Sequence, residues 1–114
     1  METKENIYIL WTSGDRVTFD EMVYMYALNS LKRGWWKEVT LIIWGASAKL
    51  AGEDFVVQQE LKELAEAGVK ITACKGCADN LSLTETFEKA GFEVKYWGAP
   101  LTELLQSDVR MLTI

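Results

Sequence analysis

The stretch Val69–Asn80, VKITACKGCADN, decides how the rest of the chain is read. Val69, Ile71 and Ala73 alternate with Lys70 and Thr72, the period of a strand with two different faces. Cys74 and Cys77 follow, separated by two residues, and then a segment with helical spacing. A strand running into a helix is the unit from which parallel sheets are built. These are the only two cysteines in the chain. A thiol at the carboxyl end of a strand, facing the amino end of a helix, lies near unpaired N–H groups and a positive dipole end. That setting favours thiolate over thiol. Lys75 stands next to Cys74 and adds a positive charge.

Upstream, Asn6–Trp11 (NIYILW) and Val39–Trp44 (VTLIIW) are apolar nearly throughout, as strands covered on both faces are. Between them Ser13, Gly14 and Asp15 belong to a turn, and Thr18 with Glu21 has the form of a capping box. A helix is therefore expected from Thr18 to about Arg33, stopped at Gly34. Its apolar residues occupy two flanks, Phe19, Met22, Val23, Tyr26 and Ala27 on one, Tyr24, Met25 and Leu28 on the other. One sheet face covers one flank, so the surplus, with Trp35 and Trp36 behind it, predicts self-association. After the second strand, Gly45, Ala46 and Ser47 read as a turn. A helix from Glu53 to Ala67 then presents Val57, Leu61, Leu64 and Ala65 as an apolar stripe, leaves Glu60, Glu63 and Glu66 as a solvated face, and ends at Gly68.

Downstream, Ser82 and Glu85 make a second capping box, so a short turn after Cys77 and a main helix from Ser82 are expected. Phe92–Tyr96 reads as a fourth strand. Gly98 and Pro100 open a short helix bearing Leu101, Leu104 and Leu105, and Val109–Ile114 reads as a fifth strand. The pattern predicts a single domain, residues 1–114, with an α/β fold: a three-layer α/β/α arrangement around a five-stranded parallel sheet. Lys95 and Arg110 suit the edges, while the first two strands look interior, which disfavours a flavodoxin order. Ligand sites in such sheets lie beyond the strand carboxyl ends. Those ends carry Ser13, Gly14, Asp15, Trp44, Gly45, Ala46, Ser47, Cys74, Trp97 and Gly98, with Lys75 and Gly76 beside the thiols, and three of the five tryptophans, Trp11, Trp44 and Trp97, lie at that rim.

Composition narrows the chemistry. A net charge of −5 and a pI near 4.7 lack the basic footprint of a nucleic-acid binder. With no histidine there is no Ser/His/Asp triad, Cys/His dyad or imidazole metal site, and two thiols fall short of the four ligands of structural zinc. The turn at Ser13–Asp15 has neither GxGxxG nor Walker A spacing, so no nucleotide is expected, and no cofactor is called for. No apolar run suggests a membrane span, and METKENIYIL lacks the organisation of a secretory leader, which gives a cytoplasmic expectation.

Cys-x-x-Cys beside a βα unit is a redox signal of moderate specificity, although a thioredoxin motif would follow an earlier strand. Three readings stand: a sulfur carrier, a dithiol/disulfide redox protein, and a non-catalytic oligomeric interaction module with incidental cysteines. The segments ITACKGCADNL, YILWTSGD, LIIWGASAKL and VKYWGAPLTELL, with the closing VRMLTI, resemble the DsrE/DsrF-like family of small sulfur-relay proteins over nearly the whole chain. The resemblance implies a strand order of 4-3-2-1-5 and assembly into a homotrimer or homohexamer. It implies a sulfurtransferase-like role in which Cys74 takes sulfur from a donor protein, holds it as a persulfide and passes it to an acceptor. Cys77 has no counterpart in the usual sulfur-relay pattern and would resolve or share the persulfide.

Overall fold

β1 (Asn6–Trp11) pairs on one side with β2 (Glu38–Ile43) and on the other with β5 (Arg110–Thr113). β3 (Lys70–Cys74) lies beyond β2, and β4 (Glu93–Lys95) closes the far edge. All pairs are parallel, and the order is β4-β3-β2-β1-β5 in a computed structural model that describes residues 4–114. The α/β fold and the expected strand order are both present, with Lys95 and Arg110 on the two edges.

This order distributes the helices unevenly. The connections from β1 to β2, β3 and β4 all step in one direction, so right-handed crossovers put their helices on one face; only the return to β5 crosses the other. On the first face Ile7, Ile9, Trp11, Val39, Leu41 and Ile43 meet Phe19, Val23, Val57, Leu61, Leu64 and Phe87 in one fully buried core. Burying each such side chain stabilises the fold by roughly 1.5–3 kcal/mol. On the second face Ile42, Cys74 and Trp97 form a smaller buried cluster, flanked by the half-buried Leu101 and Leu104 of α7 (Gly98–Gln106). α7 buries no residue fully.

Several boundaries differ from expectation, each for a local reason. Helix begins at Arg16, not Thr18: Asp15 is the cap, accepting from Thr18 N and Thr18 Oγ1, both at 2.8 Å, so the Thr18–Glu21 capping box does not form. α1 (Arg16–Thr18), a π-helical segment (Phe19–Tyr24) and α2 (Met25–Lys32) then follow without a break. Gly45–Ser47 is not a simple turn but opens an unforeseen helix, α3 (Ala46–Glu53), and Asp54 caps α4 (Phe55–Ala67) by accepting from Val56 N and Val57 N. Gly52 allows α3 to pack, because a Cβ there would come within 2.8 Å of three Leu83 side-chain atoms. After Cys74 the chain enters α5 (Lys75–Asn80) at once. The Ser82–Glu85 box also fails: Ser82 sits at φ 59°, and α6 (Thr84–Lys89) begins after Leu83 with no side-chain cap.

The Glu60–Glu63 face is not simply solvated. Arg16 reaches Asp54 at 2.9 Å, Asp20 at 3.2 Å and Glu60 at 3.8 Å, tying the π-helical segment to the start of α4. Burial, then the nearby Asp20 carboxyl, push Glu60 above the usual carboxylate range. Tyr24 donates to Glu63 at 2.5 Å, and that bond, with burial, pushes its hydroxyl from the ordinary 10.0 up to about 12. A raised folded value means that the neutral form is favoured in the native state. Its contribution is complete below pH 10.0 and is lost as pH climbs through about 12. Denaturant titration should show the stability gap between wild type and Tyr24→Phe shrinking over that interval; a gap that widens would contradict the assignment.

Candidate functional site

Cys74 is the last residue of β3, and the chain turns into α5 immediately after it. Its side chain is directed to the second face, where it is 7% exposed beneath Ile42 and Trp97, with Trp44, Leu10 and Leu101 around them. The thiol makes no capping hydrogen bond to α5. A helix of six residues offers little dipole, so the electrostatic setting anticipated from the sequence is only weakly realised. Gly76 lies alongside: a Cβ there would meet Cys74 Sγ at 4.0 Å and nothing else within 4 Å, so its absence leaves room beside the sulfur.

Cys77 follows three residues later and therefore shares a side of the first helical turn with Cys74. It is half-buried, and it accepts the Gly45 N–H at 3.4 Å. Burial pushes its thiol up, the Gly45 N–H opposes that, and the neighbouring Cys74 thiol adds to the rise. Both cysteines are free thiols. Gly45 reaches Cys77 from the loop after β2, where φ 81° and ψ −139° exclude most side chains.

That loop is fixed by Ser47, which the sequence places at the strand-end rim without assigning it a role. Ser47, fully buried, donates to the Trp11 carbonyl at 2.5 Å and accepts the Trp44 N–H at 3.1 Å, while its own N–H reaches Thr12 O at 3.2 Å. The ends of β1 and β2 are thereby stitched together under Gly45. The signal was a hydroxyl flanked by small residues where two strand ends converge.

Of the residues anticipated around the thiols, Trp44, Gly45 and Gly76 are brought to them. Ser13, Gly14 and Asp15 occupy the neighbouring β1 turn instead. There Ser13 accepts the Asp15 N–H, Gly14 packs on Ala46, and Asp15 is held below the usual carboxylate range by the Thr18 N–H it accepts. Lys75 turns away from the sulfurs. Its ammonium donates to both Asp79 oxygens at 3.0 and 2.9 Å and lies 5.5 Å from the Tyr96 ring centre. The three rim tryptophans divide: Trp97 and Trp44 wall the Cys74 side, and Trp11 is buried in the opposite core against Phe19 at 4.7 Å.

Trp97 also lines a cavity next to the thiols. Its indole donates to Thr72 Oγ1 at 2.8 Å, Thr72 donates to Glu93 at 3.2 Å, and Lys95 stands 4.4 Å above its ring. The cavity, about 790 Å³, opens on the second sheet face between Tyr8, Thr40, Lys70 and α7, and neither cysteine lines it. Among the described residues no helix is long and apolar enough to cross a membrane.

No protein-family model matches the chain, and no curated protein matches it. Among solved structures, it is similar to the conserved protein of unknown function BT1422 from Bacteroides thetaiotaomicron. The two are 42% identical over 96% of this chain and 95% of that one, with a TM-score of 0.94. It is also similar to the ychN protein from E. coli, which has a DsrE-like fold, at 15% identity over 98% of this chain and all of that one, with a TM-score of 0.67. At that identity the likeness to ychN shows the fold alone.

Proposed function

Since the chain belongs to the same family as BT1422, a conserved protein without an assigned function, we propose from its own thiols that it is a small sulfur carrier, a sulfurtransferase-like protein. The observation that carries this reading is the pairing of a sheltered and an accessible thiol at one strand end. Cys74 is roofed by Trp97 and Ile42 with room beside its sulfur, and Cys77 is half-buried under a backbone N–H. A persulfide on Cys74 is shielded from bulk thiols, and an accessible neighbour gives a route to it. A DsrE-like fold is compatible with sulfur relay. The partners proposed are a sulfur-donor and a sulfur-acceptor protein. Mass spectrometry after exposure to a persulfide should find sulfur added to wild type and none on the Cys74→Ser, Cys77→Ser double variant. Unmodified wild type would refute the reading.

The carrier is further proposed to work as a homotrimer or homohexamer. Met22 and Met25 are 38% and 45% exposed on the outer side of the first helical stretch, and Trp35 is 55% exposed beyond it. Tyr24, by contrast, turns inward to Glu63, so Met22 and Met25 are the better probes of a contact. Sedimentation equilibrium should give a multiple of 12.9 kDa that falls to the single mass in Met22→Glu, Met25→Glu. A wild-type mass of 12.9 kDa would exclude self-association.

A further inference from the structure

The two thiols differ in what can reach them. Cys74 lies behind Trp97, Ile42 and Leu101, whereas Cys77 is less buried and is the one partly buried residue packed against both apolar clusters, among the described residues. Cys77 also accepts a fixed donor. Gly45 N–H points at its sulfur from 3.4 Å, on a loop held by the Ser47 hydrogen bonds. A sulfur held this way is positioned before a reactant arrives, and the amide favours its thiolate, the form that attacks, and the charge that returns to it when it later serves as the leaving group.

The surroundings also select the reactant. Lys75 is committed to Asp79, and Lys95 to Glu93 at 3.4 Å and to the Trp97 ring. The sulfurs keep apolar neighbours, the neutral Gly45 N–H and the backbone N–H groups that open α5, with no cation directed at them among the described residues. A dianionic sulfur source such as thiosulfate needs several charge-assisted contacts to shed its water. An organic persulfide, whose reacting end is a neutral or singly charged sulfur, needs none.

We propose that Cys77 is the receiving thiol, taking sulfane sulfur from an organic persulfide, R–S–SH, and handing it inward to Cys74. This rests on the sulfur-carrier reading above and adds an ordered step to it. The Cys77 Sγ lone pair attacks the outer sulfur of R–S–SH. A new S–S bond forms, the donor S–S bond breaks, and its electron pair leaves on the inner sulfur. The departing thiolate gains the Cys77 proton and leaves as R–SH, so no oxidant or reductant is consumed. Cys74 Sγ then attacks the outer sulfur of the Cys77 persulfide. Cys77 Sγ departs with the Cys74 proton, and the sulfur comes to rest in the space beside Gly76.

The test mixes reduced protein with glutathione persulfide, quenches it over time and locates added sulfur by peptide mass spectrometry. Wild type should carry sulfur first on Cys77 and later on Cys74. Cys74→Ser should still load and stop at Cys77, and Cys77→Ser should load about tenfold more slowly than wild type, as reactivity follows thiol exposure. Thiosulfate at equal concentration should load none. Cys77→Ser loading at the wild-type rate, or Cys74 carrying sulfur first in wild type, overturns the order; loading by thiosulfate overturns the donor class. Sulfur on neither cysteine of wild type refutes the carrier reading itself, an outcome distinct from these. Should a serine variant fail to fold, timed iodoacetamide labelling of wild type decides: Cys77 alkylated first agrees with the order, and Cys74 first overturns it.

Discussion

Trp97→Ala should destabilise the protein by about 3–5 kcal/mol, the range for removing a buried large aromatic side chain. It should also open Cys74 to alkylation in the native state. The residue is 4% exposed and, among the described residues, is one of three buried members of the second-face cluster, so little around it can collapse into the space. Its loss also removes the donor to Thr72 Oγ1 and the ring beneath Lys95. Trp97→Phe separates these contributions. It keeps most of the apolar contact and loses the N–H, whose net contribution is about 1 kcal/mol. Urea denaturation measures the first effect and iodoacetamide labelling the second. A loss under about 1 kcal/mol, with Cys74 still protected, would mean that the cluster does not roof the thiol.

Ser47→Ala is expected to destabilise by about 0.5–1.5 kcal/mol, the net contribution of a hydrogen bond, because the Trp11 carbonyl loses its hydroxyl donor and keeps only the Trp44 N–H at 3.2 Å. The partners are Trp11 O and Trp44 N, and the serine is fully buried. The functional consequence is more specific than the loss of stability. With the loop unpinned, Gly45 N–H no longer holds its place over Cys77 Sγ, and alkylation of Cys77 should change rate while that of Cys74 does not. Ser47→Thr, which keeps the hydroxyl, should preserve the Cys77 rate wherever its extra methyl is tolerated. Equal changes at both cysteines in Ser47→Ala would point to general loosening instead.

The strands were legible because burial on both faces writes itself as continuous apolar sequence, and edge positions as isolated charges such as Lys95 and Arg110. α3 was hidden by composition. Small residues and Gly52 blunt its apolar period, and the tight contact with Leu83 that makes Gly52 useful is a tertiary fact. The two capping boxes failed for different reasons. Asp15 outcompetes Thr18 for the helix start, and Ser82 adopts a left-handed turn before the buried Leu83, where its hydroxyl makes no cap. The thiols and Gly45 could be placed together from strand-end logic alone. The direction in which Lys75 turns could not, because Asp79, one helical turn later, and Tyr96, from the end of β4, draw it away.

The return connection from β4 to β5 leaves α7 alone on its face of the sheet, with Leu101 and Leu104 half-buried and Leu105 64% exposed. Elements held by few buried contacts open locally at a free energy well below that of global unfolding, and their amides exchange with solvent hydrogen accordingly. α7 therefore belongs to the early-exchanging part of the molecule, while β1 and β2, enclosed by the larger core, exchange only when the whole chain unfolds. Opening on the microsecond-to-second scale that such local events occupy would lift the wall over Cys74 without disturbing the sheet on which the sulfur stands.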